Sequence, residues 1–375
     1  MAPYKISGTT DAARIIIIKE SDWSIESNTN ESSGSYGVDG LESGKKLVLA
    51  RKSDGEALAF GNVDGVYYVP AVNGVWAGGN TGGYTNVMDY VVISTTGDAT
   101  DFGDMTTNRD RLPGCSNGTN NRGLFWGGYA SAGGNRTSID YIDISTPGNA
   151  ADFGDMTEGK RDISACSNGT NNRGLCAGGY TASSSPDNQI EYINISSLGN
   201  SAHFGSLTDT RYDDVGTDNG TNNRGIFAGG YNWNGTRMNW IEYVTITSLG
   251  NSTDFGDLTR DAAERPGAAS NRSNNRGVFA GGHDEIGVGS TNIVDYITIT
   301  STGNATDFGD LTNKRSQLAG CSSGTQERAV FGGGAFGGSG YYTTMDYITI
   351  NSTGNATSFG SLSVGRRDLG ACSNA

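Results

Sequence analysis

The chain has 375 residues, with 26 basic and 40 acidic side chains and a formal net charge of −14. This excess of negative charge, with no basic stripe along the sequence, excludes nucleic acid as a partner, because it would repel a phosphate backbone. Fifty-nine glycines against six prolines disfavour helices, since each helix-interior glycine costs about 1 kcal/mol, whereas turns between strands use its positive φ. Apolar residues at 35% still supply a core, so the composition predicts a folded all-β protein.

The first 65 residues carry apolar clusters at Ile15 to Ile18, at Tyr36, Val38 and Leu41, and at Leu47 to Ala50, separated by Gly, Ser and Asn turns. This pattern predicts a small β-sandwich of about six or seven short strands. The Ile15 to Ile18 run is too short for a signal-peptide core, and no apolar run approaches the roughly 18 residues that span a bilayer. The expectation is a soluble protein that makes no membrane insertion and folds where it is made. Five cysteines, an odd number in a long chain, do not form a disulfide framework and are expected as free thiols.

Beyond this piece the sequence repeats. A Phe-Gly marker falls at Phe102, Phe153, Phe204, Phe255, Phe308 and Phe359, with spacings of 51, 51, 51, 53 and 51. An acid followed by tyrosine keeps the same step, at Asp89-Tyr90, Asp140-Tyr141, Glu191-Tyr192, Glu242-Tyr243, Asp295-Tyr296 and Asp346-Tyr347. Glycine pairs do likewise at 78–79, 127–128, 178–179, 229–230, 281–282 and 333–334. Three independent markers therefore define six units.

Each unit reads as four strands, exemplified by Leu318 to Ser322 for strand a, Arg276 to Gly281 for b, Tyr296 to Thr300 for c, and Thr306 to Leu311 leading into d. Strand b carries an aromatic in five copies (Trp76, Phe125, Phe227, Phe279, Phe331) and Cys176 in the sixth, so Cys176 is expected as a small core residue. Such small sheets must pack face to face, and a period near fifty residues fits the blades of a propeller. The first unit lacks a strand a, while Arg367 to Ala375 reads as a strand a with nothing after it. The last strand is therefore expected to complete the first blade, leaving no open edge at the seam.

The order of elements resembles the kelch repeat: an apolar strand ending in Gly-Gly, a variable loop, then a tyrosine on the next strand. The resemblance covers about residues 66 to 375 and implies a six-bladed kelch-like β-propeller, although the late tryptophan usual in kelch blades is replaced by the Phe-Gly marker. In the amino-terminal piece, Ser33-Gly34-Ser35-Tyr36 through Gly40-Leu41 to Lys45, with Leu47, Val48 and Ala50, resembles the transthyretin-like or carboxypeptidase-regulatory type of β domain. Its continuation, Ala50-Arg51-Lys52-Ser53-Asp54-Gly55-Glu56-Ala57-Leu58, looks like the short β modules of bacteriophage virion proteins. The Gly-Asn-Ala-Thr-Asp-Phe-Gly-Asp-Leu text at 303–311 likewise resembles propeller segments of tailed phages. The domains expected are 1–65, a sandwich docking to the particle, and 66–375, a propeller facing outward.

No enzyme signature stands out. Acids present in all six units argue for structure, because catalysis needs an asymmetric place. Arginines before strand b (Arg122, Arg173, Arg224, Arg276, Arg328) are expected to cap neighbouring loops. Basic residues seven after the marker phenylalanine (Arg109, Lys160, Arg211, Arg315, Arg366, with Ala262 as the exception) are expected to bond strand-end carbonyls between blades. A galactose-oxidase-type copper site would need two convergent histidines. His203, expected in a c–d loop, and His283, after a glycine pair, fall at opposite ends of different blades. Sialidase boxes are missing. Cys115, Cys166, Cys321 and Cys372 share one position on strand a and are expected in the core or channel lining. The oxygen-rich Asn/Asp-Ala-Thr-Asp loops are explained by Asx turns, without calcium. No catalytic residue, metal or cofactor is expected.

The two faces differ in text. Loops a–b and c–d, which share one side, are monotonous: Ser-Asn-Gly-Thr-Asn-Asn-Arg-Gly recurs at 116–123 and 167–174. The b–c loops vary and carry Tyr129, Tyr180, Tyr231, Trp233, His283, Phe336, Tyr341 and Tyr342, which are the candidate partner or glycan contacts. Aromatics beside Gly and Asn offer contact area at little entropic cost. The resulting expectation is a non-enzymatic virion protein of a tailed phage, a tail protein or capsid decoration assembled in the host cytoplasm. It would contact other virion proteins through its amino-terminal domain, engage a host glycan or receptor for attachment, and belong to a symmetric assembly. A glycan-binding lectin-like propeller and a bacterial kelch-like scaffold are the alternatives.

Overall fold

The computed structural model describes residues 71–375 except 132–133, 184, 261–264, 285–288 and 338–339, together with the backbone of six strands among the first 70 residues. The chain divides into two compact units, Met1–Ala71 and Val72–Ala375; the boundary expected between 65 and 66 lies outside the described residues. In the first unit Tyr4–Thr10 pairs antiparallel with Gly34–Leu41. Ala12–Lys19 is flanked by Ile25–Asn30 and Lys46–Lys52, and the latter pairs with Ala57–Phe60. The side chains that carry the transthyretin-like and phage-module resemblances lie outside the described residues.

The second unit is a ring of six antiparallel sheets, each four strands deep in the order a-b-c-d. Blades 2 to 6 begin with their own strand a, at Gly114–Ser116, Ser164–Ser167, Val215–Asp218, Gly267–Ser270 and Ala319–Ser322. Blade 1 takes its strand a from the far end of the chain: Gly370–Ser373 pairs with Asn73–Ala77, Gly370 opposite Ala77 and Ser373 opposite Gly74. The closure expected from the sequence is therefore present.

Burial explains the text of each strand. Strand b, such as Arg122–Trp126, is buried from its second residue onward, which is why it reads as a continuous apolar run instead of alternating. Strand d, such as Thr306–Asp310, buries only its phenylalanine well. The Phe-Gly marker is thus part of strand d, not the approach to it, and strand c of that blade runs Ile293–Thr298 instead of starting at Tyr296. His203 is likewise inside a strand d, Ala202–Tyr212, and not in a c–d loop.

The recurring markers pair with one another. The strand c tyrosine meets the strand d phenylalanine of its own blade edge to face, as in Tyr141 and Phe153 at 6.2 Å between ring centroids. The arginine opening strand b lies over the same tyrosine, Arg224 at 4.3 Å from the Tyr243 ring, and donates to a carbonyl of the following blade, Ile299 O at 2.8 Å. These arginines stand at the first position of strand b, where they do cap the neighbouring blade.

The basic residues near the end of strand d behave differently from expectation. Their principal partner is the marker acid of the next blade: Arg109 with Asp140 at 3.1 Å, Lys160 with Glu191 at 3.0 Å, Arg315 with Asp346 at 2.8 Å and Arg366 with Asp89 at 3.1 Å, plus Arg211 with Glu242. Carbonyl bonds, such as Arg109 Nη2 to Phe125 O at 3.3 Å, are secondary. Ala262 lies outside the described residues, but blade 4 still has its cation, because Arg260 reaches Asp295 at 3.3 Å. Each acid also accepts from a hydroxyl, as Thr106 Oγ1 donates to Asp140 at 2.8 Å. Every blade interface therefore holds a buried, hydrogen-bonded ion pair; removing one partner from such a pair costs about 3–5 kcal/mol.

On the far side, the c–d loops tie blades together. The side-chain oxygen at one loop position accepts an N–H from strand d of the preceding blade, as in Asn304 Oδ1 from Asp257 N at 3.1 Å and Asp98 Oδ1 from Ser361 N at 2.9 Å. These inter-blade bonds, more than local Asx turns, account for the oxygen-rich text. The core lies between adjacent sheets: one cluster joins Trp76 and Ile93 of blade 1 to Val330 and Phe359 of blade 6. All five cysteines are buried free thiols. Cys176 packs with Leu124 and Phe153, and Cys115, Cys166, Cys321 and Cys372 belong both to the inter-blade clusters and to the channel wall.

Candidate functional site at the variable face

The b–c hairpins and the d–a turns share one face. Three of the candidate contact residues are drawn into a rigid belt. Tyr129–Ala130, Tyr180–Thr181 and Tyr231–Asn232 form two-residue strands, and the last two pairs extend strand d of the preceding blade. Tyr84 and Tyr129 lie 5.7 Å apart, Arg161 sits over Tyr129 at 5.1 Å and Tyr180 at 4.7 Å, and Tyr212 bridges Tyr180 at 5.2 Å to Tyr231 at 5.4 Å. Arg237 covers Tyr231 at 5.5 Å. Cation–π and ring contacts of this kind each contribute on the order of 1 kcal/mol, so these tyrosines, all half-buried, are mainly framework.

The other candidates divide. Trp233 is 72% exposed, Phe336 47% and Tyr341 40%, with Trp240 at the start of strand c also at 42%. Arg367 lies over Tyr341 at 5.4 Å. Tyr342 is half-buried, donating its N–H to Gly334 O at 2.9 Å. His283 is half-buried in a short hairpin, His283–Asp284 against Gly289–Ser290. Among the described residues every exposed large aromatic side chain lies on this face, while Leu198 and Leu249 are exposed on the c–d loops of the other.

The centre of the face holds a feature that repeat reasoning missed. Nine residues after the marker phenylalanine, or ten in one blade, stand Arg111, Asp162, Asp213, Arg265, Gln317 and Asp368. All six adopt left-handed backbone, with φ between 49° and 62°. Each donates its N–H to the carbonyl of the one before, at 2.7–3.0 Å, and Arg111 donates to Asp368, so the hydrogen bonds close into a circle. A non-glycine residue held there is strained, and this circle holds six of them at the channel mouth.

Their side chains frame a cavity of about 110 Å³. Arg265 pairs with Asp213 at 2.5 Å, Asp368 at 2.7 Å and Asp162 at 3.7 Å. Arg111 is more loosely held, 3.7 Å from Asp162 and 3.9 Å from Asp110. Burial would lower the Arg265 pKa, yet the surrounding Asp213, Asp368 and Asp162 carboxylates raise it well above its ordinary value. Burial raises Asp213 well above the carboxylate range against the pull of Arg265, and the facing Asp162 carboxyl raises it further. Burial likewise raises Asp368, and pushes Asp110 up to about 6.

One position further along, the blades read Leu112, Ile163, Asp214, Pro266, Leu318 and Leu369. A carboxyl thus replaces an apolar residue in one blade only. Asp214 is 6% exposed, lines the cavity, accepts from Ser164 Oγ at 2.6 Å through Oδ2, and has no hydrogen-bond donor at Oδ1. Burial pushes its pKa up to about 7, with Arg211 opposing. The signal was available in the sequence as the single acid in an otherwise apolar column.

The opposite end of the channel carries a second pair of departures. Where the other a–b turns have Gly118, Gly169, Gly220 and Gly324, blade 5 has Arg272; where the strand a ends have serine, blade 4 has Asp218. Arg272 Nη1 reaches Asp218 Oδ1 at 2.6 Å and Ser167 Oγ at 3.4 Å, and Nη2 reaches Ser116 Oγ at 3.4 Å. The guanidinium therefore crosses the channel floor.

Among the described residues no group of three or more His, Cys, Asp or Glu side chains is placed to hold a metal ion, and no helix is long and apolar enough to cross a membrane. No family model matches the chain, and no curated protein matches it in sequence. Fold and site together define a six-bladed β-propeller with one diversified face. Among solved structures the chain is similar to the one described as "Structure of YjhT", with a TM-score of 0.56 at 11% identity, covering 72% of this chain and 88% of that chain. At that identity the likeness is one of fold.

Proposed function

We propose that this chain is a non-enzymatic binding component of a tailed-phage virion, its amino-terminal unit docking to the particle and its propeller offering the b–c face to a host or partner surface. The observation that carries the binding role is the confinement of exposed Trp233, Trp240, Phe336 and Tyr341 to that one face. Exposed aromatics make good anchors because they offer large contact area with little entropy lost on contact. The virion assignment rests on the phage-like text at 50–58 and 303–311. A kelch-like ancestry and a transthyretin-like sandwich belong to the same proposal.

The test is a triple variant, Trp233→Ala, Tyr341→Ala and Phe336→Ala, assayed for host-cell adsorption of particles carrying it. Loss of adsorption with normal incorporation into particles supports the reading; unchanged adsorption, or absence of the protein from purified particles, overturns it. A glycan ligand is favoured by polar groups next to exposed rings, since Asn232 precedes Trp233 in the chain and Arg367 lies over Tyr341 at 5.4 Å. Glycan-array binding by the full chain distinguishes that ligand from a protein partner.

A further inference from the structure

We propose that Asn234, at the tip of the blade 4 b–c hairpin, is a site of spontaneous deamidation, and that the charge it leaves beside Trp233 weakens contact through that face. Five Asn-Gly steps occur in the sequence, at Asn73, Asn117, Asn168, Asn219 and Asn234. In each, the following residue lacks a Cβ, so its backbone nitrogen can approach the asparagine side chain. The glycine nitrogen bonds to the side-chain Cγ, the Cγ–Nδ2 bond breaks, and ammonia leaves with the proton of the attacking N–H. Water then adds to either carbonyl of the succinimide ring and opens it to aspartate or isoaspartate. Only water is consumed.

The fold protects four of the five. Asn117, Asn168 and Asn219 stand in the a–b turns and are 3%, 1% and 1% exposed. Each amide is held at both ends. Nδ2 donates to Asn172, Asn223 or Asn275 of the next blade at 3.0 Å, and Oδ1 accepts from the N–H of Arg122, Arg173 or Arg224 at 2.7 Å. The attacking nitrogens are held too: Gly118 donates to Ser116 Oγ at 3.2 Å, Gly169 to Ser167 Oγ at 3.3 Å and Gly220 to Asp218 Oδ1 at 2.9 Å. Asn73 lies inside strand b of blade 1, between Gly370–Ser373 and Val87–Val92, and its Nδ2 donates to Ile144 O at 3.0 Å. Reaction at these four requires opening ladder or inter-blade bonds.

Asn234 is exposed, as are Trp233, Gly235 and Thr236 around it. Among the described residues its side chain makes no hydrogen bond. Its N–H donates to Asn232 Oδ1 at 3.0 Å, and the Gly235 N–H to Asn232 O at 3.0 Å. Both bonds lie in a turn open to water, which can replace them. Open space surrounds Gly235, where a Cβ would meet nothing within 4 Å. Trp233 is 72% exposed, so a carboxylate at 234 adjoins the proposed contact face and must be desolvated when that face is covered. This effect on contact rests on the binding role proposed above; the reaction itself does not.

The experiment is peptide mapping by mass spectrometry of the full chain, held at 37 °C and pH 8.5 and then digested with trypsin. Cleavage after arginine places Asn117, Asn168, Asn219 and Asn234 on separate peptides, 112–122, 162–173, 212–224 and 225–237, with Asn73 on 53–109. In the native chain, peptide 225–237 should gain the roughly 1 Da of an amide-to-acid exchange at least about tenfold faster than the other four. In guanidinium chloride the five rates should converge to within about threefold. Asn234→Gln, whose larger imide ring closes slowly, should suppress the gain in that peptide. Equal native rates at all five sites, or a gain at 225–237 that persists in Asn234→Gln, overturns the site. Particles carrying Asn234→Asp should adsorb to host cells severalfold less; unchanged adsorption, where the triple variant has lost it, overturns the effect on contact. The mass readout involves no binding, so failure of the host-contact reading is told apart from failure of the site.

Discussion

The two faces of the propeller grow from the same six sheets, yet they have been used differently. On the a–b and c–d side the text is copied from blade to blade, and each copy makes the same bond to its neighbour, such as Asn304 to Asp257 or Asn355 to Asp310. On the b–c and d–a side the backbone circle is just as regular, but the side chains mounted on it are Arg, Asp, Asp, Arg, Gln and Asp. Regular backbone with irregular side chains separates the part of the molecule that holds the ring together from the part free to acquire specificity. Repetition is thus a property of the backbone that closes the ring, while the side chains at the channel mouth depart from it.

The comparison can be broken first at the lattice. Arg315→Ala leaves Asp346 buried without its cation, and urea denaturation should show a loss of about 3–5 kcal/mol. A loss under 1 kcal/mol would mean the inter-blade pairs are not what holds the ring.

Next comes pH. Asp214 is raised to about 7 in the folded chain from an ordinary 3.8, so the folded state binds the proton more tightly. Its contribution to stability is complete below about pH 4 and is lost as pH rises through 7, at a slope of up to about 1.4 kcal/mol per pH unit. Asp110, raised to about 6, has the same sign over a narrower window. Asp214→Leu should flatten the decline in melting temperature between pH 4 and 7, whereas a variant that keeps the wild-type profile would remove Asp214 from the account.

The smallest effect sharpens the contrast. Asn304→Ala removes one inter-blade acceptor at an exposed loop and should cost about 1 kcal/mol. The same substitution at Asn355 should cost the same within about 0.5 kcal/mol. Unequal values would show that the uniform face is uniform only in text.

Much of this architecture was readable in the chain. Phe102 and its five counterparts, the acid-tyrosine pairs and the glycine pairs each mark a local conformation, and local conformations leave local text. Ring closure was readable too, because a strand a without a successor and a strand b without a predecessor can satisfy each other. What pairs across blades was less legible. Arg109 and Asp140 are 31 positions apart, and nothing in either strand alone says that the base of one blade meets the acid of the next. Arg260 was hidden by a shifted spacing. The framework role of the tyrosine belt is not legible in the chain, because a two-residue strand such as Tyr180–Thr181 has no periodicity to detect. Asp214 escaped because the markers drew attention to what recurs, and its meaning lies in not recurring.

The crossing of Arg272 to Asp218 has a consequence for assembly. Sheets this alike are close to interchangeable, and two chains folding together could trade blades and still bury most of their apolar surface. The arginine in blade 5 and the aspartate in blade 4 act as a key cut for a single lock. Any swap that seats another blade beside blade 4 strands a carboxylate on the channel floor without its counter-charge, so the correct neighbour is singled out by electrostatics where packing alone would be indifferent.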